Sequence, residues 1–87
     1  MVNRIAICDD VEVERFVLKR QLMVYFQTNG REAQIQEYES GESLLADIEE
    51  GYIWPDLIFL DIYMNGINGM ETASKIRLWD TSCHIIF

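Results

Sequence analysis

Short apolar runs alternate with longer helical patterns along this chain of 87 residues, and that alternation is the signature of βαβ units around a parallel sheet. The first run, Ile5-Ala6-Ile7-Cys8, predicts a strand over about residues 4–8. From about residue 11 to residue 28 apolar side chains recur at helical spacing, at Val11, Leu18, Leu22 and Tyr25, and Asn29-Gly30 stops the helix. Phe16, Val17, Val24 and Phe26 widen the stripe, and packing into a core accounts for them without a cofactor. Residues 33–38 alternate as a half-exposed edge strand does. Ser40 is a good N-cap for a second helix over 41–50, without a full capping box, and Gly51 ends it. A third strand covers 56–61, with Pro55 tolerated because it precedes the paired residues. Its unbroken run Leu57-Ile58-Phe59-Leu60 predicts cover on both faces. The Gly-rich loop Asn65-Gly66-Ile67-Asn68-Gly69 leads to a third helix over 70–79 and a fourth strand over 83–87.

A chain of this length makes one small domain, which buries only about 60% of its unfolded surface and is marginally stable. Hydrophobic residues at 49% and charged residues at 25% place it among globular sequences. Fifteen acids against seven bases, a formal charge of −8, repel nucleic acid and anionic membrane and favour a protein or cationic partner. No stretch has the make-up of a signal peptide or a membrane span, so the expected compartment is the cytoplasm. Cys8 and Cys83 fall on non-adjacent strands and read as buried small hydrophobes, not as a disulfide. A sheet whose last strand has just formed leaves Ile85, Ile86 and Phe87 on an uncovered edge. The sequence therefore reads as a fragment, or as a protein whose missing part comes from elsewhere.

Three aspartates stand where buried strands run out: Asp9 and Asp10 after the first, Asp61 after the third. In parallel, adjacent strands they meet at one end of the sheet, where ligands of open α/β sheets bind. At 4 Å two such charges repel by about 1 kcal/mol in water and about 4 kcal/mol at an effective dielectric of 20. An oxygen-only cluster of this kind suits a hard divalent ion, and Mg²⁺ binds in this manner beside a phosphate. Phosphoryl chemistry is the expectation.

In the stretches Ile5-Ala-Ile-Cys-Asp9-Asp10 and Asp56-Leu-Ile-Phe-Leu-Asp61-Ile-Tyr-Met-Asn-Gly-Ile-Asn-Gly69-Met the chain resembles the receiver domain of bacterial two-component response regulators. The resemblance runs from end to end. It implies a flavodoxin-like, doubly wound α/β fold with strand order 2-1-3-4, lacking the family's fifth strand and last two helices. It further implies that Asp61 is the phosphoacceptor, and that Asp9, Asp10, Asp61 and the main-chain carbonyl of Tyr63 hold Mg²⁺. The phosphoryl group would come from a phosphohistidine on a histidine kinase, giving an acyl phosphate. The domain would be no enzyme beyond self-phosphorylation and autodephosphorylation. Tyr38-Glu-Ser-Gly-Glu-Ser-Leu-Leu is similar to receivers of the LytTR transcription-factor group, implying transcription regulation.

The chain departs from the family pattern in two respects. Asn65 stands where most receivers have Pro, and the Ser or Thr after strand four and Lys after strand five that contact the phosphoryl group have no counterpart within the 87 residues. Lys19 and Lys75 lie on helices and do not stand in for them, and His84, at the other end of the sheet, reads as structural. A haloacid-dehalogenase-type phosphatase needs a second Asp two residues after its nucleophile, where this chain has Tyr63. The competing reading is a phosphorylation-independent interaction module with the same fold. Either way, the exposed fourth-strand edge predicts a homodimer or a swapped oligomer.

Overall fold

A computed structural model describes residues 2–87 of the protein. Its elements are β1 (Val2–Cys8), α1 (Glu12–Thr28), β2 (Glu32–Tyr38), α2 (Gly41–Glu49), β3 (Leu57–Leu60), α3 (Gly69–Trp79) and β4 (His84–Ile86). The four strands form one sheet in the order β2-β1-β3-β4, and every pairing is parallel. This is the parallel sheet that the apolar runs predict, in the doubly wound order that the resemblance implies, with β2 at one edge and β4 at the other.

Side chains alternate across a strand, so β1 serves two cores. Ile5 and Ile7 pack against Leu18, Leu22 and Phe26 of α1. Ala6 and Cys8 face the opposite layer, where Leu44 and Leu45 of α2 and Ile76 of α3 close over Ile58 and Leu60. Two helices cover this second face, and it is the drier one. The first face has α1 alone among the described elements, so Leu57 and Phe59 of β3 are only half-buried. That corrects the expectation of full cover for β3: an unbroken apolar run reports hydrophobicity, not the number of helices above it.

A second correction concerns α1. Leu18, Leu22 and Phe26 point inward, whereas Tyr25, Phe16, Val17 and Val24 are roughly half exposed or more, and so is Val11 just before the helix. Core packing therefore explains Phe26 but not the other residues that widen the stripe.

Element ends follow local hydrogen bonding. β1 begins earlier than its apolar run because the full length of β2 pairs with it, Val2 opposite Glu32 through Cys8 opposite Tyr38. Helix α1 starts at Glu12, its entry fixed by the Asp9 carboxylate, which accepts from the Val11 N–H at 2.9 Å. Ser40 caps α2 by accepting from the Ser43 N–H at 3.1 Å, and the Ser43 hydroxyl donates back to the Ser40 carbonyl at 2.9 Å. The full capping box belongs to α3. There Asn68 accepts from the Glu71 N–H at 2.9 Å while the Glu71 carboxylate accepts from the Asn68 N–H at 3.2 Å, so α3 starts one residue before the predicted position.

Candidate metal and phosphoacceptor site

Asp9 and Asp10 leave the end of β1 and Asp61 leaves the end of the adjacent β3. The sheet ladder continues past both strands: the Asp61 N–H donates to the Cys8 carbonyl at 2.9 Å, and the Asp9 N–H to the Tyr38 carbonyl at 3.0 Å. Their backbones are thus placed by the sheet. As a result one carboxylate oxygen from each of Asp9, Asp10 and Asp61 lies within 4.8 Å of the other two, and all three residues are half-buried.

Each carboxylate is also aimed by a backbone donor. Asp9 accepts from Val11, Asp61 Oδ1 accepts from the Tyr63 N–H at 3.3 Å, and Asp10 Oδ2 accepts from the Asn65 N–H at 3.1 Å. One donor apiece leaves most of the acceptor capacity of an ionised carboxylate free. The donors are short, oxygen-only ligands brought together from two strands, and they fit a hard divalent cation.

Among the described residues, no side-chain cation forms a salt bridge with the cluster. Arg15 donates from Nη1 to the main-chain carbonyl of Asp9 at 2.7 Å, and its Nε faces Glu37 Oε1 at 3.6 Å. Lys19 Nζ lies 3.2 Å from the other oxygen of Glu37. Charge accumulates in consequence. The exposed carboxyl of Glu14 titrates above the ordinary range, first because it lies within hydrogen-bond reach of the Asp9 side chain, then because the charges of Asp9, Asp61 and Asp10 disfavour its ionised form. The Cys8 thiol is pushed up to about 12 by burial and then by the charges of Asp9 and Asp61. At neutral pH the thiol keeps its proton.

The loop after β3 is pinned at several points. The Gly69 N–H donates to the Ile62 carbonyl at 2.8 Å, and a Cβ on Gly69 would strike the Asp61 carbonyl oxygen and come within 2.8 Å of Ile62 Cα. Only glycine lets α3 start this close to the phosphoacceptor candidate. Gly66, with φ of 79°, lies against the Glu42 carboxylate, which also accepts from the Ile67 N–H at 3.3 Å. Neither Glu14 nor Glu42 stands out in the sequence, because acids in the first turn of a helix are ordinary there. Tyr63 points its ring into solvent, 86% exposed. His84 is exposed and opposite Leu57, at the far end of β3 from Asp61.

Residues 5–87 match the family model of the response regulator receiver domain. The chain belongs to that family. Over 39 residues it is 54% identical to "Sensory transduction protein LytT" of Oceanobacillus iheyensis, which covers 45% of this chain and 15% of that protein. The receiver fold superimposes with a TM-score of 0.78 on response regulator protein TrrA from Thermotoga maritima, solved in complex with Mg²⁺-BeF, at 35% identity over 95% of this chain. A chain of the complex between histidine kinase ThkA and TrrA matches with a TM-score of 0.71 at the same identity. The receiver spans 65% of these solved chains, so it matches only part of each relative. Among the described residues, no helix is long and apolar enough to cross a membrane.

Proposed function

We propose that Asp61 accepts a phosphoryl group from a histidine kinase, and that Asp9, Asp10, Asp61 and the main-chain carbonyl of Tyr63 hold Mg²⁺ for that reaction. The observation that carries the reading is the convergence of the three carboxylates within 4.8 Å at the ends of two adjacent strands. The likeness to TrrA, solved once with Mg²⁺-BeF and once with the kinase ThkA, supports both the ion and the partner.

When bound, Mg²⁺ neutralises phosphoryl oxygens and the surrounding acids, without which an anionic carboxylate is a poor nucleophile toward phosphorus. Asp61 attacks through one oxygen as the bond from phosphorus to the donor's nitrogen breaks, leaving an acyl phosphate on Asp61 and a neutral imidazole, once protonated, on the donor. The Tyr63 N–H keeps the Asp61 carboxylate oriented. Asp9 and Asp10 provide the ligand charge. On this reading the protein acts in the cytoplasm in a phosphorelay that regulates transcription. Its own chemistry ends at self-phosphorylation and autodephosphorylation.

The 87-residue chain also pairs with a second copy on this reading, because β4 has a partner strand on one side only and Ile86 and Phe87 are 46% and 55% exposed. They border an open cleft of about 250 Å³ lined by Ile7, Leu18 and Phe59 and reaching Asp9 and Asp61.

Labelling with a small-molecule phosphodonor, followed by mass mapping, tests the acceptor. Modification confined to Asp61 and dependent on Mg²⁺ is the expected result. Losing one charge-stabilising donor typically costs about 10²–10³ in rate, so labelling slower than that of a chain lengthened through strand five is also expected. A wild-type chain that takes no label while a lengthened one does would show that the family's Ser or Thr and Lys are indispensable. Mg²⁺-independent labelling, or labelling unaffected by Asp61→Asn, would overturn the assignment.

A further inference from the structure

Two carboxylates from different elements grip the loop between β3 and α3. Asp10 accepts from the Asn65 N–H at 3.1 Å, and Glu42, at the start of α2, accepts from the Ile67 N–H at 3.3 Å. The two anchors differ in one respect. Asp10 belongs to the acid cluster, whereas Glu42 lies outside it.

The surroundings of Glu42 are built for the contact. A Cβ on Gly66 would come within 2.9 Å of one Glu42 oxygen and closer still to the other, so the carboxylate lies flat against the loop backbone. Gly41 brings the start of α2 equally close, since a Cβ there would come within 2.9 Å of the Ile67 side chain and strike Thr72 of α3.

We infer that Glu42 is a positioning residue for the metal site: with Asp10 it holds the loop that follows Tyr63, so that the Tyr63 carbonyl stays presented to the cation. The inference rests on reading Asp9, Asp10 and Asp61 as a Mg²⁺ site. The operative group is the acceptor oxygen, not the charge. Glu42→Gln retains that oxygen and Glu42→Ala does not.

Calorimetric titration with Mg²⁺ of wild type, Glu42→Gln and Glu42→Ala separates the possibilities, with thermal melts in chelator recorded beside it. A lost hydrogen bond of this exposed kind corresponds to about a three- to tenfold weaker dissociation constant. That weakening is expected for Glu42→Ala, with Glu42→Gln within about twofold of wild type and all three proteins still folded in chelator. Equal Mg²⁺ affinity in all three would overturn the role of Glu42 and leave the metal site standing. Equal weakening in both variants would overturn it as well, since it would assign the effect to charge. A wild-type chain that binds no Mg²⁺ would overturn the metal site itself.

Discussion

Asp61→Asn should stabilise the metal-free protein even though it removes the proposed phosphoacceptor. The three carboxylate oxygens lie within 4.8 Å of one another. A pair of unit charges at that separation repels by about 0.9 kcal/mol in water and about 3.5 kcal/mol at an effective dielectric of 20. Asp61 takes part in two such pairs, with Asp9 and with Asp10. Because all three residues are partly solvated, the aqueous end of the range applies, and neutralising Asp61 should yield about 1–2 kcal/mol. Asn keeps an Oδ1 to accept from the Tyr63 N–H, so the substitution isolates charge from hydrogen bonding. For a domain of this size each kcal/mol moves the melting temperature by about 4–8 °C. Melting followed by circular dichroism, in chelator at low ionic strength, reads the effect. Adding Mg²⁺ should then raise wild type more than the variant, since binding to the folded state alone contributes about 2.7 kcal/mol at a hundredfold excess over the dissociation constant. High salt should shrink the metal-free difference by screening. A variant that melts at or below wild type in chelator would refute the electrostatic reading of the cluster.

Gly69→Ala forces a methyl group onto the Asp61 backbone; a loss of about 1–3 kcal/mol is expected in urea denaturation, and an unchanged midpoint would refute the close approach. The Cys8 thiol titrates near 12 in the folded chain against an ordinary 9.0, so its contribution is fully present below about pH 9 and is lost as pH rises toward 12, by up to about 1.4 kcal/mol per unit. Tyr38, raised by burial and then by its bond to Asp47, acts in the same direction above its ordinary 10.0; Cys8→Ala should flatten the alkaline limb of stability against pH, and an identical limb would refute the assignment. Burying one large apolar side chain is worth about 1.5–3 kcal/mol, so the exposed Ile86 and Phe87 should drive the 87-residue chain to sediment as a dimer at micromolar concentration. Ile86→Lys should return it to a monomer, and a monomeric wild type would refute pairing at β4.

The sheet and the three aspartates were legible for one reason. A central parallel strand shows as a continuous apolar run and the edge strand β2 as an alternation, and a carboxylate at the end of a central strand marks where the run meets solvent, as Cys8-Asp9-Asp10 and Leu60-Asp61 do. What escaped depends on partners that periodicity does not report. Tyr25 and Phe26 are both aromatic and adjacent, yet only Phe26 is buried; a wide stripe leaves the helix's rotation open by one residue. Leu57 and Phe59 look no different from Ile58 and Leu60, but one face of β3 has two helices above it and the other has α1 alone. The α3 capping box was within reach, since Asn68 and Glu71 have the required spacing. Glu42 was not, because its role depends on the β3–α3 loop folding back against α2, a contact between segments 25 residues apart.

The treatment of Arg15 shows why the acid cluster remains available for a ligand. A guanidinium beside Asp9 could neutralise the site by binding its carboxylate, which would stabilise the fold and block the cation. Instead Arg15 gives Nη1 to the Asp9 main-chain carbonyl and turns its Nε toward Glu37, which Lys19 shares from the other side. That arrangement has a cost: Arg15 Nε is buried and has no hydrogen-bond partner, as 3.6 Å to Glu37 is too long for one. Keeping it on Glu37 leaves three negative charges uncompensated, and the repulsion among them favours the cation over the empty site. On the proposed reading, the acids whose repulsion lowers stability in the empty site are the ones that would hold the cation, and Glu37 of the edge strand β2 draws the Arg15 charge away from them.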